Sequence, residues 1–228
     1  MNDLIKYLQQ YAEGEPEIVL DIPLFSNKKQ ISDPKVLNRL DAVKKEALMC
    51  TRCQLAKTRQ NVVFGDGSAD ARLMFIGEGP GADEDRQGIP FVGRAGQLLN
   101  KIIAAMKFQR SEVYIANIVK CRPPDNRDPL PEEAESCIPY LEQQIQIIDP
   151  DVIVALGKVA AVRLLNLDPG VSVKSIRNQI HNYKDKPFIV TYHPSYLLRT
   201  PSGKVEAWKD MQVVMGLLAG NIVWSPDR

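Results

Sequence analysis

"MFIGEGPGADEDRQGIPFVGRAGQLL", residues 74–99, joins an apolar run to a glycine-rich turn and then to three consecutive acids, Asp83-Glu84-Asp85. The run Leu73-Met74-Phe75-Ile76 shows no polar alternation, which is the pattern of a strand covered on both faces. Comparable runs recur, so the strand candidates are 72–77 (RLMFIG), 113–118 (VYIANI), 151–156 (DVIVAL) and 187–192 (PFIVTY). Helical patterns over 94–106, 131–148 and 157–166 lie between them. The second begins Pro131-Glu132-Glu133, with a fixed φ and negative charge where a helix dipole is positive. Strands of this kind alternating with helices predict an α/β fold on a central parallel sheet of about four strands. In such sheets the loops after the strands bind ligands.

The chain has 228 residues, 44% hydrophobic and 25% charged, ordinary for one globular α/β domain. No apolar run approaches the roughly 18–20 residues that span a bilayer, so no membrane association is expected. The start, MNDLIKYLQQY, lacks the cationic and apolar sections of a secretory signal, and a cytoplasmic location follows. Residues 2–12 place Leu4, Ile5, Leu8 and Tyr11 at helical spacing, and 13–34 read as an exposed connection. The expected organisation is an N-terminal helical extension and linker over 1–45 and a single domain over 46–228. Net charge is only +1, yet residues 151–209 hold nine Lys/Arg against four Asp/Glu. That basic third suits either a solvated surface or a footprint for nucleic acid.

The four cysteines are Cys50, Cys53, Cys121 and Cys137. In a chain without a signal peptide a disulfide framework is disfavoured. Redox chemistry fits the C-T-R-C pair poorly, because it follows the helical stretch KVLNRLDAVKKEALM rather than a first βαβ strand. A centre of four thiolates is the stronger reading, against four buried cysteines acting as small hydrophobes. Zinc and an iron–sulfur cluster both accept such a set.

The loops after the four strands hold the unusual residues: Gly77-Glu78-Gly79-Pro80-Gly81, Asn117 with Lys120-Cys121-Arg122, Gly157-Lys158, and His193-Pro194-Ser195-Tyr196. Gly77-x-Gly79-x-x-Ala82 formally matches a dinucleotide fingerprint, but the three acids would crowd a pyrophosphate. A flat, neutral, hydrogen-bonding ring suits the set better. Asn117 offers the donor and acceptor that complement a uracil edge. Phe91 can stack on the ring, His193 can donate to charge developing on O2, and Glu78 or Glu84 can position a water. Asp83 and Asp85 read as solvated residues of a first helical turn.

"GEGPGADEDRQGIPFVGRAGQLL", "YIANIVKCRPP" and "HPSYLLR", together with the four cysteines, resemble the iron–sulfur, family-four uracil-DNA glycosylases. The similarity runs from about Cys50 to Trp208. It implies a three-layer α/β/α sandwich and a structural 4Fe–4S cluster on Cys50, Cys53, Cys121 and Cys137. It also implies that uracil lies against Gly77, Glu78 and Gly79, under Phe91, with Asn117 at its edge and His193 facing the leaving base. The partner is uracil-containing DNA, met by a monomer. Lys158, Ser195 and Arg199 are expected near flanking phosphates, and Tyr196 or Leu197 in the space the base vacates.

Two positions depart from other uracil-DNA glycosylases. Gly79 stands where those have a water-activating aspartate, and Gly81 where they have a thymine-excluding tyrosine. Water activation then falls to Glu78, with Glu84 second, and thymine exclusion to Phe91 and its turn. No lysine nucleophile is evident, so a monofunctional enzyme of base-excision repair is expected. The alternatives are a glycosylase for another deaminated base such as hypoxanthine, and a non-catalytic iron–sulfur protein that binds or senses nucleic acid.

Overall fold

Leu73–Gly77 forms a strand with every residue buried, as the unbroken apolar run requires. In the computed structural model, which describes residues 33–226, six strands make one sheet. They are β1 (Asp66–Gly67), β2 (Leu73–Gly77), β3 (Tyr114–Asn117), β4 (Val152–Leu156), β5 (Ile180–Tyr183) and β6 (Lys186–Thr191), in the order β1-β3-β2-β4-β6-β5. The four expected strands are β2, β3, β4 and β6, and they run parallel. Short β1 and β5 close the two edges antiparallel. The expected helix over 2–12 lies outside the described residues, as does nearly all of the connection over 13–34.

Successive side chains on a strand point to opposite faces, which divides the core into two layers. Met74, Ile76, Ile153, Ala155, Phe188 and Val190 face one helical layer. Leu73, Phe75, Ile115, Val152, Val154 and Ile189 face the other. The first layer holds α1 (Pro34–Leu48) and α4 (Pro131–Ile148). Asp33 caps α1 by accepting the Lys35 N–H at 2.9 Å, and Val43 and Ala47 carry its apolar stripe into the core. Helix α1 therefore runs through residue 45 and is packed against the body of the fold at both ends of that stripe.

Between these come α2 (Ala82–Gln87) and α3 (Arg94–Ala105), with α5 (Lys158–Leu165), α6 (Val173–Ile176), α7 (Pro194–Arg199) and α8 (Gly203–Leu218) further on. Helices α3 and α8 form the second layer, through Leu99, Ile103, Met211, Val214, Met215 and Leu218. The outcome is the expected three-layer α/β/α sandwich. Among the described residues no helix is long and apolar enough to cross a membrane.

From β2 the chain steps to β3 on one side, then crosses to β4 on the other side of β2. The loops after β2 and β4 thus diverge and leave a crevice at the carboxyl ends of the strands. That crevice is where the unusual loops meet.

Candidate active site and thiol centre

A cleft of about 520 Å³ opens at this edge, within the range of small-molecule sites. Its walls include Glu78, Gly79, Glu84, Phe91, Asn117, Lys158, His193, Ser195, Tyr196 and Arg199, so residues from four separate loops do converge. Gly77 lies beneath them: a Cβ there would come within 2.5 Å of Asn117 Oδ1 and 2.6 Å of Phe91 Cζ. Only glycine lets the asparagine and the phenylalanine close over the end of β2.

Asn117 ends β3 and is 1% exposed, and its Oδ1 has no hydrogen-bond partner among the described residues. A buried acceptor left unpaired costs about 1–3 kcal/mol, so this oxygen is held ready for a donor. Its main chain is secured by Lys120, fully buried, whose Nζ donates to the Asn117 carbonyl at 3.0 Å and to Gln144 Oε1 at 2.5 Å.

Phe91 sits at φ 52°, a left-handed conformation uncommon for a bulky residue. Its surroundings fix that conformation from three sides. Arg110 donates to the carbonyls of Pro90 at 2.6 Å and Phe91 at 3.2 Å. Gly96 leaves no room for a Cβ, which would lie 1.9 Å from the Phe91 carbonyl oxygen. Glu84 accepts the N–H groups of Val92 and Gly93, both at 2.9 Å, through one oxygen, and that of Gly81 at 3.1 Å through the other. Both carboxylate oxygens of Glu84 are therefore engaged with main chain, and the side chain holds the turn that carries Phe91. Gly81 follows from the same clamp, because a Cβ there would lie 2.8 Å from Glu84 Oε2.

The acids beside Glu84 separate. Asp83 is solvated and pairs with Arg86 at 2.6 Å, as expected. Asp85 is not: it is 2% exposed and accepts the N–H groups of Gln60 and Asn61 at 3.0 and 3.2 Å, which ties the preceding segment to α2.

His193 faces Phe91 with ring centroids 5.7 Å apart. Its Nδ1 accepts the Ser195 N–H at 3.1 Å, which leaves the ring proton on Nε2. Burial, helped by the Arg199 charge and opposed by that of Glu84, pushes its pKa down to about 4. At neutral pH it is an uncharged donor.

Glu78 is pushed up to about 7, first by burial and then by the charge of Asp128 and a hydrogen bond with it. Asp128, Asn126 and Arg127 also line the cleft, and none was singled out in the sequence. They sit in a stretch of prolines and charges, PPDNRDP, that reads as an ordinary solvated loop.

Helix α7 presents Tyr196 to the surface, at 36% exposed, stacked 4.8 Å from Tyr192. Leu197, expected beside it at the DNA, is instead 1% exposed and packs with Leu98 and Ala207. On so short a helix, one residue's step turns a side chain from solvent to core.

Cys50, Cys53, Cys121 and Cys137, apart by 87 residues in the chain from first to last, line one narrow cavity between α1, α4 and the loop after β3. Arg59 donates to Cys121 Sγ at 3.3 Å and the Lys120 N–H to Cys137 Sγ at 3.2 Å. Burial pushes the Cys137 thiol up to about 11 and raises Cys121 as well. Among the described residues no group of three or more His, Cys, Asp or Glu side chains stands in ligating geometry. Four thiol side chains around one cavity are a donor set that zinc and an iron–sulfur cluster both accept.

The fold and these loops define the class. The model of the Uracil DNA glycosylase superfamily matches residues 64–212, and the chain belongs to that superfamily, within its type-4 branch. A type-4 uracil-DNA glycosylase of Thermotoga maritima is 47% identical over 167 residues, covering 73% of this chain and 86% of the relative. That of Archaeoglobus fulgidus is 40% identical over 190 residues, covering 81% and 95%. That of Sulfurisphaera tokodaii is 41% identical over 174 residues, covering 73% and 79%.

Proposed function

We propose that this chain hydrolyses the N-glycosidic bond of deoxyuridine in DNA, releasing free uracil and leaving an abasic site for base-excision repair. One observation carries the reading: the buried, unpartnered Oδ1 of Asn117 at the floor of the cleft. It is the acceptor that the N3–H of uracil needs, while the same side chain's amide can donate to O4.

The deoxyuridine must leave the helical stack to reach this floor, at a cost of a few kcal/mol. Phe91 stacks on the extruded ring, and its clamped turn supplies the wall that thymine's methyl group meets. Tyr196 occupies space next to the vacated position, while Lys158 and Arg199, beside Ser195, hold flanking phosphates. As the bond to C1′ breaks, negative charge gathers on the base. The neutral His193, with its proton on Nε2, donates to O2 and stabilises that charge without having to lose a proton first. Glu78 positions the water that adds to C1′, and its raised pKa places it near half ionisation at neutral pH. Cys50, Cys53, Cys121 and Cys137 would hold a 4Fe–4S cluster, which supplies a structural cross-link between α1, α4 and the loop after β3.

None of the four cysteines is joined in a disulfide, which suits a reducing cytoplasm. The test is a labelled oligonucleotide with one uracil, incubated with the protein and heated in alkali to break abasic sites. Strand breakage at uracil, and none with thymine or hypoxanthine in its place, is the expected result. Breakage at hypoxanthine alone would reassign the substrate.

A further inference from the structure

A second hollow lies between α3, α7 and the start of α8, lined by Arg94, Gln97, Leu98, Lys101, Leu198 and Lys204. Arg94, Gln97 and Lys101 recur at i, i+3 and i+7 on α3, so they share one face. Lys204 enters from the start of α8, and Leu198, 38% exposed, from α7. Five arginines of the fold are paired with carboxylates: Arg72 with Asp151, Arg86 with Asp83, Arg110 with Asp66, Arg127 with Glu133 and Arg177 with Asp210. Among the described residues no carboxylate pairs with Arg94, Lys101 or Lys204, and none lines the hollow. Three like charges around one concavity repel one another, so the arrangement favours a polyanion that enters it.

We infer that this surface carries the backbone phosphates of the DNA strand beyond the extruded nucleotide, with Arg94, Lys101 and Lys204 as its anion contacts. The inference rests on the glycosylase reading and extends its footprint. Helix α7 links the two places: Tyr196 and Arg199 line the cleft while Leu198 lines the hollow. Arg94 begins α3 three residues after Phe91. The spacing also matches. Seven residues of α-helix rise about 10 Å from Arg94 to Lys101. Three nucleotide steps rise about the same distance along a DNA strand.

The variant Lys101→Glu/Lys204→Glu tests this, with Lys101→Gln/Lys204→Gln as a milder control. Affinity is measured across a salt series on a duplex of about twenty base pairs holding a reduced abasic site. Excision is measured in parallel on a uracil-containing trinucleotide, too short to reach the hollow. The charge-reversed variant is expected to bind the duplex at least 10-fold more weakly. Its slope of log affinity against log salt should be smaller by about 2, near one unit per lost phosphate contact. The neutral variant is expected to lose the same slope with a smaller drop in affinity. Trinucleotide excision stays at the wild-type rate in both. Unchanged duplex affinity and slope, with the trinucleotide still cleaved, would overturn the inference and leave the glycosylase standing. No excision from either substrate by the wild-type protein would instead remove the reading beneath it.

Discussion

Glu84 gives the sharpest prediction, because two roles for it lead to opposite measurements. Its carboxylate accepts three main-chain N–H groups, from Gly81 at 3.1 Å and from Val92 and Gly93 at 2.9 Å. A hydrogen bond to a charged acceptor contributes about 1.5–3 kcal/mol. The three bonds share one side chain, and water reaches part of the space it would leave, so their joint loss costs less than the sum. About 3 kcal/mol is expected for Glu84→Ala. In a chain of this size that lowers Tm by about 6–12 °C. The kinetic effect follows from the freed turn: Phe91 no longer stands at a fixed distance from Asn117, so KM for uracil DNA rises and discrimination against thymine weakens. Glu84→Gln keeps an acceptor for Val92 and Gly93 but turns its amide N–H toward that of Gly81, and should show a smaller shift of the same kind. Thermal melting and excision kinetics on the same preparations decide the matter. A Glu84→Ala protein that melts with the wild type while kcat collapses would refute the clamp and return Glu84 to the water.

Three further perturbations follow from the site. Asp128→Asn removes the like charge beside Glu78, so the limb of excision rate that rises through about pH 7 should move to lower pH. In stability, Glu78 has a folded pKa above its unfolded one, so its contribution is full below the ordinary carboxylate range and is lost as pH rises through about 7; denaturation at pH 6 and pH 8 should show a smaller loss in Asp128→Asn. Lys120→Met leaves the Asn117 carbonyl and Gln144 Oε1 without their donor, at about 1–3 kcal/mol each, and both Tm and uracil excision should fall. Cys121→Ala should lose iron and its brown colour together with stability, as read by iron content and melting; a variant that keeps both would remove Cys121 from the centre.

The four inner strands and the helices between them are legible because burial on both faces writes itself as unbroken apolar sequence. The edges are not. Asp66–Gly67 is too short to carry a pattern, and Ile180–Tyr183 mixes His181 and Asn182 with apolar residues because one side meets solvent. Helix α8 hides for a different reason: Gly203, Gly216 and the buried Asp210 interrupt its apolar face. Asp210 is tolerated there because Arg177 and Thr191 bond to it at 2.8 and 2.7 Å, partners from distant segments. Site residues show the same division. Asn117 and His193 stand at strand ends where position alone marks them. Glu84, Asp85, Lys120 and Arg110 act on main-chain groups brought near only by the fold, and a carboxylate that caps a turn is spelled like one that moves a proton. Leu197 and Leu198 are adjacent and alike, and helix phase alone sends one to the core.

The central claim is that Asn117 Oδ1 waits for the N3–H of the base. The direct measurement compares single-turnover excision of uracil and of N3-methyluracil at the same position of one oligonucleotide. The methyl group removes the donor and leaves the glycosidic bond and O2 intact. A site built around a polar contact rejects an analogue lacking it by orders of magnitude, so a loss of at least about 100-fold is predicted. Excision of both bases at similar rates would contradict the account.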